Sequence, residues 1–302
     1  MLRYPDLAAS GELGSRAELA LASLAECRVC PHECAVDRTR GESGICRAGE
    51  RARISSAGPH FGEEPPLVGR GGSGTVFFAW CNLRCVYCQN ADISHLGHGG
   101  DVAAAALADV FLDMQHSGCE NLNLVSPTHY TPQILAALDL AASGGLDLPL
   151  VWNTGGYESR HTLSLLDGVV DVYMPDVKYA EPHVASRLSG AADYPEHAFA
   201  AVREMHRQVG DLVTDRRGVA VRGLLVRHLV LPGRLSGTRE VMRFLAGEIS
   251  TDTYVNVMAQ YRPCHLADDF PELSRHITGD EFESALAEAR DAGLHRFARN
   301  GA

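Results

Sequence analysis

The sequence predicts an α/β protein, an open partial (β/α)6 barrel behind a cysteine-rich N-terminal extension. Three observations predict it. From residue 75 onward, short apolar runs alternate with amphipathic helical stretches. The runs are continuous rather than alternating, as in parallel strands buried on both faces. Six such runs fall short of the eight strands that close a full barrel. Two parts follow: an extension over residues 1–70 and a barrel with a C-terminal helix over 71–302. In such a fold, chemistry sits at the C-terminal ends of the strands.

Residues 1–70 look irregular, apart from a short helix opened by a capping box at Ser15–Glu18. Thr75–Trp80 reads as the first strand, entered through a flexible Gly71–Gly74 segment that lacks the ending of a phosphate loop. Asp101 is expected to cap a helix carrying Leu107, Val110, Phe111 and Met114 at helical spacing. Asn121–Ser126 is the second strand, and Thr131-Pro132 opens a helix with Ile134, Leu135 and Leu138 inward. Leu148–Thr154 and Val170–Asp176 are the third and fourth strands, with a helix between them from about Glu158 to Leu166. Helical sequence fills Ala180–Val209. Arg222–Leu231 is the fifth strand, and Ser236 is expected to cap the helix that follows. Tyr254–Met258 is the sixth, and the capping box Thr278–Glu281 opens a last helix.

Composition excludes several roles. Of 302 residues, 45% are hydrophobic and 22% charged, the profile of a chain with a real core. The net charge of −11 and the lack of a basic tract argue against nucleic-acid or anionic-membrane binding. Charges such as Asp139 and Asp147 interrupt every apolar stretch, and MLRYPDLAAS lacks an apolar signal core. A cytoplasmic location is therefore expected. Reduced cytosolic thiols in clusters point to metal or catalysis rather than disulfides. Seven of the nine cysteines are clustered: Cys27, Cys30, Cys34 and Cys46, then Cys81, Cys85 and Cys88. Cys119 and Cys264 are isolated and read as small hydrophobes, with Cys264 close enough to strand six to reach a cavity.

The triplet has spacing CxxxCxxC and follows the first strand directly. A [4Fe–4S] cluster usually takes four cysteines, so three leave one iron open for chemistry. The bland alternative is a zinc knot completed by Cys119 or a distant histidine. The N-terminal segment has spacing C-x2-C-x3-C-x11-C. It suits a structural zinc or a second iron–sulfur cluster, with a slight preference for the cluster, and His32 could replace one thiol.

The triplet, with Tyr87 before its last cysteine, resembles the loop of the radical S-adenosylmethionine (SAM) superfamily. Cys81-Asn-Leu-Arg-Cys85-Val-Tyr-Cys88-Gln-Asn90 is similar to the loop of pyruvate formate-lyase activating enzyme. Pro175-Asp176-Val-Lys178 and Arg227-His-Leu-Val-Leu-Pro232-Gly233 are similar too. The four-cysteine segment and Asn256–Arg262 resemble a subgroup described as activating-enzyme-like. The resemblance covers about residues 20–295. It implies an oxidoreductase-type enzyme that cleaves SAM reductively to a 5′-deoxyadenosyl radical for hydrogen abstraction. It also implies a reducing partner such as flavodoxin or ferredoxin, and a glycyl-radical enzyme or a peptide as substrate. A small-molecule substrate is the alternative, and a non-catalytic electron-transfer or binding protein a further one.

SAM needs acceptors for its ammonium and donors for its carboxylate. Asp176 and Lys178, at i, i+2 on a strand, share one face. Lys178 is the only lysine among 27 basic residues. Asn153 stands where the family carries an Asp, and Thr154 lies beside it. Arg227 is placed to clamp a carboxylate. The family's Gly-Gly-Glu motif after strand two is replaced by Ser126-Pro127-Thr128-His129. Ser126 and Thr128 are the substitute contacts there, and His129 is placed where it could point into the site. After strand six no histidine aligns with the family's SAM contact, and His265 is only near.

Overall fold

A computed structural model describes residues 4–298. Ten strands form one sheet system: β1 (Ala52–His60), β2 (Ser73–Phe78), β3 (Gly100–Val102), β4 (Leu122–Val125), β5 (Leu150–Thr154), β6 (Val172–Pro175), β7 (Val213–Thr214), β8 (Ala220–Leu229), β9 (Tyr254–Met258) and β10 (Arg296–Phe297). Their order is β10-β9-β8-β6-β5-β4-β2-β1-β3, with β7 beside β8. The run β2-β4-β5-β6-β8-β9 is parallel throughout and follows chain order. Both ends stay open, which makes this the expected partial (β/α)6 barrel. Among the described residues no helix is long and apolar enough to cross a membrane.

Alternation along the strands sorts residues into an outer and an inner face. Leu122, Leu124, Trp152, Tyr173, Leu224, Val226, Val255 and Val257 join the outer core beneath the helices. Val151, Val172, Met174 and Leu225 form a smaller inner cluster with Leu67 and Leu212. One layer further along the same strands, the inner positions turn polar: Asn153 on β5, Arg227 on β8 and Asn256 on β9. The lumen thus has a floor that is apolar on β5, β6 and β8, with buried Thr75 and Asn123 completing it beside Val151, and a polar upper layer.

The helices over Ala104–His116 and Thr131–Ser143 bury the expected stripes. The capping box at Thr278 is complete: its side chain accepts from Glu281 N, and Glu281 returns to Thr278 N. Four local expectations fail. The helix at Ser15 begins earlier, at Glu12, and Ser15 Oγ bonds back to Gly11 O. Asp101 lies in β3 and pairs with Arg53 at 2.9 Å, so the next helix starts at Ala104 behind Ala103. Ser236 Oγ accepts from Leu231 N, and the helix starts at Thr238 behind Gly237. The segment before β2 is packed rather than flexible. A methyl group on Gly71 would lie 1.9 Å from Gly118 O, and one on Gly74 2.7 Å from Asn121 O.

The first 70 residues hold more regular structure than their pattern suggests. Helices over Tyr4–Ala9 and Glu12–Ala22 pack on Thr131–Ser143. β1 pairs antiparallel with both β2 and β3. It carries no apolar alternation because most of its side chains are exposed or half-buried.

Gly71→Ala is expected to lower unfolding stability by about 1–3 kcal/mol through overpacking against that carbonyl. Gly58→Ala, whose methyl meets nothing within 4 Å, should leave it unchanged. Denaturant titration of both variants checks the contrast.

Candidate functional site

The cysteine loop leaves β2 at its C-terminal end, turning at Trp80 with φ of +66°. It is held by main-chain bonds to two neighbouring segments. Arg84 N donates to Ser189 O, Val86 N to Leu188 O, and Leu266 N to Val86 O. Below the loop lies a separate apolar cluster that includes Leu83, Tyr87, Tyr157, Tyr179, Tyr194 and Tyr261. Tyr87 and Tyr179 share a hydrogen bond of 2.5 Å, and Tyr179 continues to Ser189 at 2.8 Å. Ser189 Oγ then donates to Cys85 Sγ at 3.0 Å. Cys88 Sγ bonds Ser94 Oγ at 3.0 Å, and Leu83 N donates to Cys81 Sγ at 3.4 Å.

The three thiols sit close enough to act on one another. Burial pushes Cys81 up to about 12, with the charges of Cys85 and Cys88 adding to the rise. Burial also raises Cys85, while the Lys178 ammonium opposes it. A thiol held at about 12, as Cys81 is, stays protonated at neutral pH unless a metal takes it as a thiolate. Three mutually close thiols, two of them given a donor and facing the Lys178 ammonium, fit a cluster with three protein ligands.

Four of the six proposed SAM-contacting residues meet in one network on the polar layer of the lumen. Asp176 Oδ2 accepts from Lys178 Nζ at 2.7 Å, and Oδ1 from Arg227 Nε at 2.7 Å. Arg227 also donates to Asn153 Oδ1 at 2.9 Å. The two cations hold the Asp176 carboxyl down at about 2, against its burial. The other two residues stand apart. Ser126, at φ of +55°, reaches Asn153 only through its own main-chain N–H. Thr128 is buried and donates to Glu158 Oε1 at 2.7 Å.

Sequence reasoning missed two members of the lumen network and one neighbour. Glu64 lies 3.8 Å from Arg227 and accepts from Asn256 Nδ2 at 2.7 Å. Burial raises its carboxyl. Asn256 lies opposite Arg227 in the β8–β9 register, a pairing that no local pattern announces; Glu64 enters from a loop with no signal. Glu158, fully buried, collects donors from Thr128, Thr154 and Trp152 on one oxygen. Its other oxygen has no partner, and burial raises its pKa.

Cys27, Cys30, Cys34 and Cys46 line one tight space of only about 10 Å3, together with Arg38 and His129. Burial raises Cys30, and Cys46, Cys27 and Cys34 raise it further. Arg38 is buried and reaches Cys27 Sγ at 3.8 Å and His129 O at 2.8 Å. Among the described residues no three His, Cys, Asp or Glu side chains are arranged to hold a single metal ion. His129 does not point toward the lumen network: it bonds Ala79 O at 2.9 Å and lines the four-cysteine cavity. His32 is engaged by Asn82 O at 2.8 Å rather than lining that cavity. His265 packs on His95, with ring centroids 4.4 Å apart. His228 is a structural residue bonded to Val177 O and Thr238 Oγ1. Cys119 is buried as expected, and Cys264 is half-buried.

Comparison with known proteins gives one strong relative. The chain is 32% identical over 290 residues to the uncharacterized protein MJ0674 of Methanocaldococcus jannaschii, covering 93% of this chain and 79% of that one. The chain belongs to that protein's family. No family model matches it. Among solved structures it is similar to a radical SAM methyltransferase from Sphaerobacter thermophilus, at TM-score 0.49 and 15% identity, covering 75% of this chain and 67% of that one. It is also similar to Streptococcus suis SuiB bound to its precursor peptide SuiA, at TM-score 0.48 and 13% identity over 74% of this chain. This chain spans about half of SuiB, 47% of its length.

Asp176→Asn removes the counter-charge of two largely buried cations, and is expected to cost about 3 kcal/mol at pH 7. A carboxyl depressed to about 2 in the fold contributes stability that is fully present above its unfolded value near 4 and lost as pH falls through about 2. Wild-type stability should therefore fall across that window, and the variant's should fall less. Denaturant unfolding between pH 7 and pH 2 measures both.

Proposed function

We propose that the protein is a radical SAM iron–sulfur enzyme. The observation that carries this reading is the loop after β2: three thiols at CxxxCxxC spacing, one buried and two half-buried, placed at the mouth of a lumen with a charged upper layer. Cys81, Cys85 and Cys88 would hold a [4Fe–4S] cluster. When bound, that cluster supplies the electron that cleaves SAM to methionine and a 5′-deoxyadenosyl radical, which takes hydrogen from the substrate.

The chain's own residues orient and shield. Lys178 and Arg227 are the donors for a carboxylate, and Arg227's planar fork suits a two-bond grip. Asp176 and Asn153 Oδ1 are the acceptors for an ammonium. Ser126 and Thr128 stand where the superfamily carries Gly-Gly-Glu. Thr128 is turned to Glu158, so Ser126 is the nearer of the two to the network. The tyrosine cluster under the loop buries Cys85 and packs against the half-buried Cys81 and Cys88. That matters for a reactive radical, because a dry site suppresses side reactions.

The finer reading is an oxidoreductase-type enzyme resembling the activating enzymes of glycyl-radical enzymes, drawing electrons from flavodoxin or ferredoxin in the cytoplasm. It is supported by the loop sequence, by Pro175-Asp176-Val-Lys178 and by the run from Arg227 to Gly233. The replacement of Gly-Gly-Glu by Ser126–His129 favours a second reading, in which the substrate is a peptide or small molecule. We read residues 1–70 as an extension that carries a second centre on Cys27, Cys30, Cys34 and Cys46. Four thiols lining one buried space suit an iron–sulfur cluster, the reading preferred here, and a structural zinc is the alternative.

Anaerobic protein reconstituted with iron and sulfide, then given dithionite and SAM, is expected to form 5′-deoxyadenosine. Cys81→Ala should form none. Lys178→Ala should bind SAM at least tenfold more weakly while keeping its iron. No nucleoside from wild type with a reducible cluster would overturn the reading.

A further inference from the structure

Between the two cysteine segments the surface opens into a cavity of about 670 Å3 whose wall includes His32, Cys34, Ser43, Ile45, Arg47 and Arg84. No carboxylate lines it, in a chain of net charge −11. Arg47 is exposed and lies over the Trp80 ring, 5.7 Å from its centroid. Arg84 belongs to the triplet loop, and one of its guanidinium nitrogens is buried with no hydrogen-bond partner. Among the described residues neither Arg47 nor Arg84 has a carboxylate within ion-pair distance. Ile45, 49% exposed, adds an apolar contact at the rim.

Cys34 connects this cavity to the inner one. Cys27, Cys30 and Cys46 are buried, whereas Cys34 is only partly so, and it lines both spaces. The floor is tied to the triplet loop by the bond between His32 and Asn82 O. None of the cavity's residues belongs to the lumen network of Asp176, Lys178, Arg227 and Asn153. A molecule bound here is beside the thiols but outside the space where hydrogen abstraction must occur.

We propose that this cavity is where an acidic electron-donor protein docks, its carboxylates on Arg47 and Arg84, passing its electron in at the Cys34 edge of the N-terminal centre. This rests on the iron–sulfur reading above. The chain's net charge of −11 repels such a donor, and the two arginines without an ion pair give the local attraction that steers it. One electron moves: the donor is oxidised by one, the protein's centre is reduced by one, and no bond forms or breaks.

The test mixes anaerobic reconstituted protein with reduced flavodoxin and follows bleaching of the cluster absorbance by stopped flow. The wild-type second-order rate should fall as salt rises. Arg47→Gln/Arg84→Gln should be about tenfold slower at low salt and lose that salt dependence, while reduction by methyl viologen radical cation stays at the wild-type rate. The single variant Arg47→Gln, at an exposed position, should give a smaller loss and guards against misfolding of the loop. Flavodoxin rates equal to wild type in both variants would overturn the proposal. Bleaching reads docking whether or not SAM is cleaved. A protein that takes flavodoxin's electron through these arginines yet makes no 5′-deoxyadenosine keeps this inference and loses the radical one.

Discussion

The top of this barrel depends on how the loop after β2 is held down. A segment carrying three cysteines and an arginine has little reason to order itself, since thiols and a guanidinium bring no core of their own. Here Leu83 and Tyr87, from between the cysteines, are driven into a cluster of tyrosines supplied by the neighbouring βα loops. The apolar bodies of those rings give burial, and their hydroxyls pair with one another and with Ser189. Ser189 in turn reaches Cys85, so the packing that fixes the loop also supplies a donor to sulfur. Hydrogen bonds to sulfur are one of the few levers a protein has on an iron–sulfur centre.

Below the loop, the lumen separates two tasks by one strand layer. The apolar part of the floor, Val151, Val172, Met174 and Leu225, supplies stability. The layer above holds two cations and two carboxyls at the cost of desolvating them. Asp176 balances Lys178 and Arg227, and Glu64 adds a second, weaker counter-charge. Buried ion networks of this kind are poor sources of stability. A ligand that is itself a zwitterion can replace these internal pairs one for one, which makes the network a reason for the layer to be polar at all.

Much of this was legible from the residues, and what was not has physical causes. The six parallel strands announced themselves because burial on both faces leaves continuous apolar runs. β1 did not, because most of its residues are exposed or half-buried. Asp101 and Ser236 misled because short polar side chains suit strand ends and loop bonds as well as helix caps. The cysteines could be grouped from spacing alone; Asp176 and Lys178 do meet, but in the loop after β6, which ends at Pro175, and not as alternate residues of a strand. Their partnership with Arg227 and Asn153 was not legible, since it depends on strands far apart in the chain. Glu64 and Glu158 come from loops, where no periodicity marks a direction. His129 sat beside the expected site in sequence but turned to the four-cysteine cavity.

The central claim is that the triplet holds an iron–sulfur cluster with one iron free for SAM. Electron paramagnetic resonance of the reduced centre tests it most directly, in a variant with Cys27, Cys30, Cys34 and Cys46 all changed to Ala. The account predicts about four irons and a signal whose g-values shift when SAM is added. A variant without iron, or a signal that SAM leaves unmoved, would contradict it.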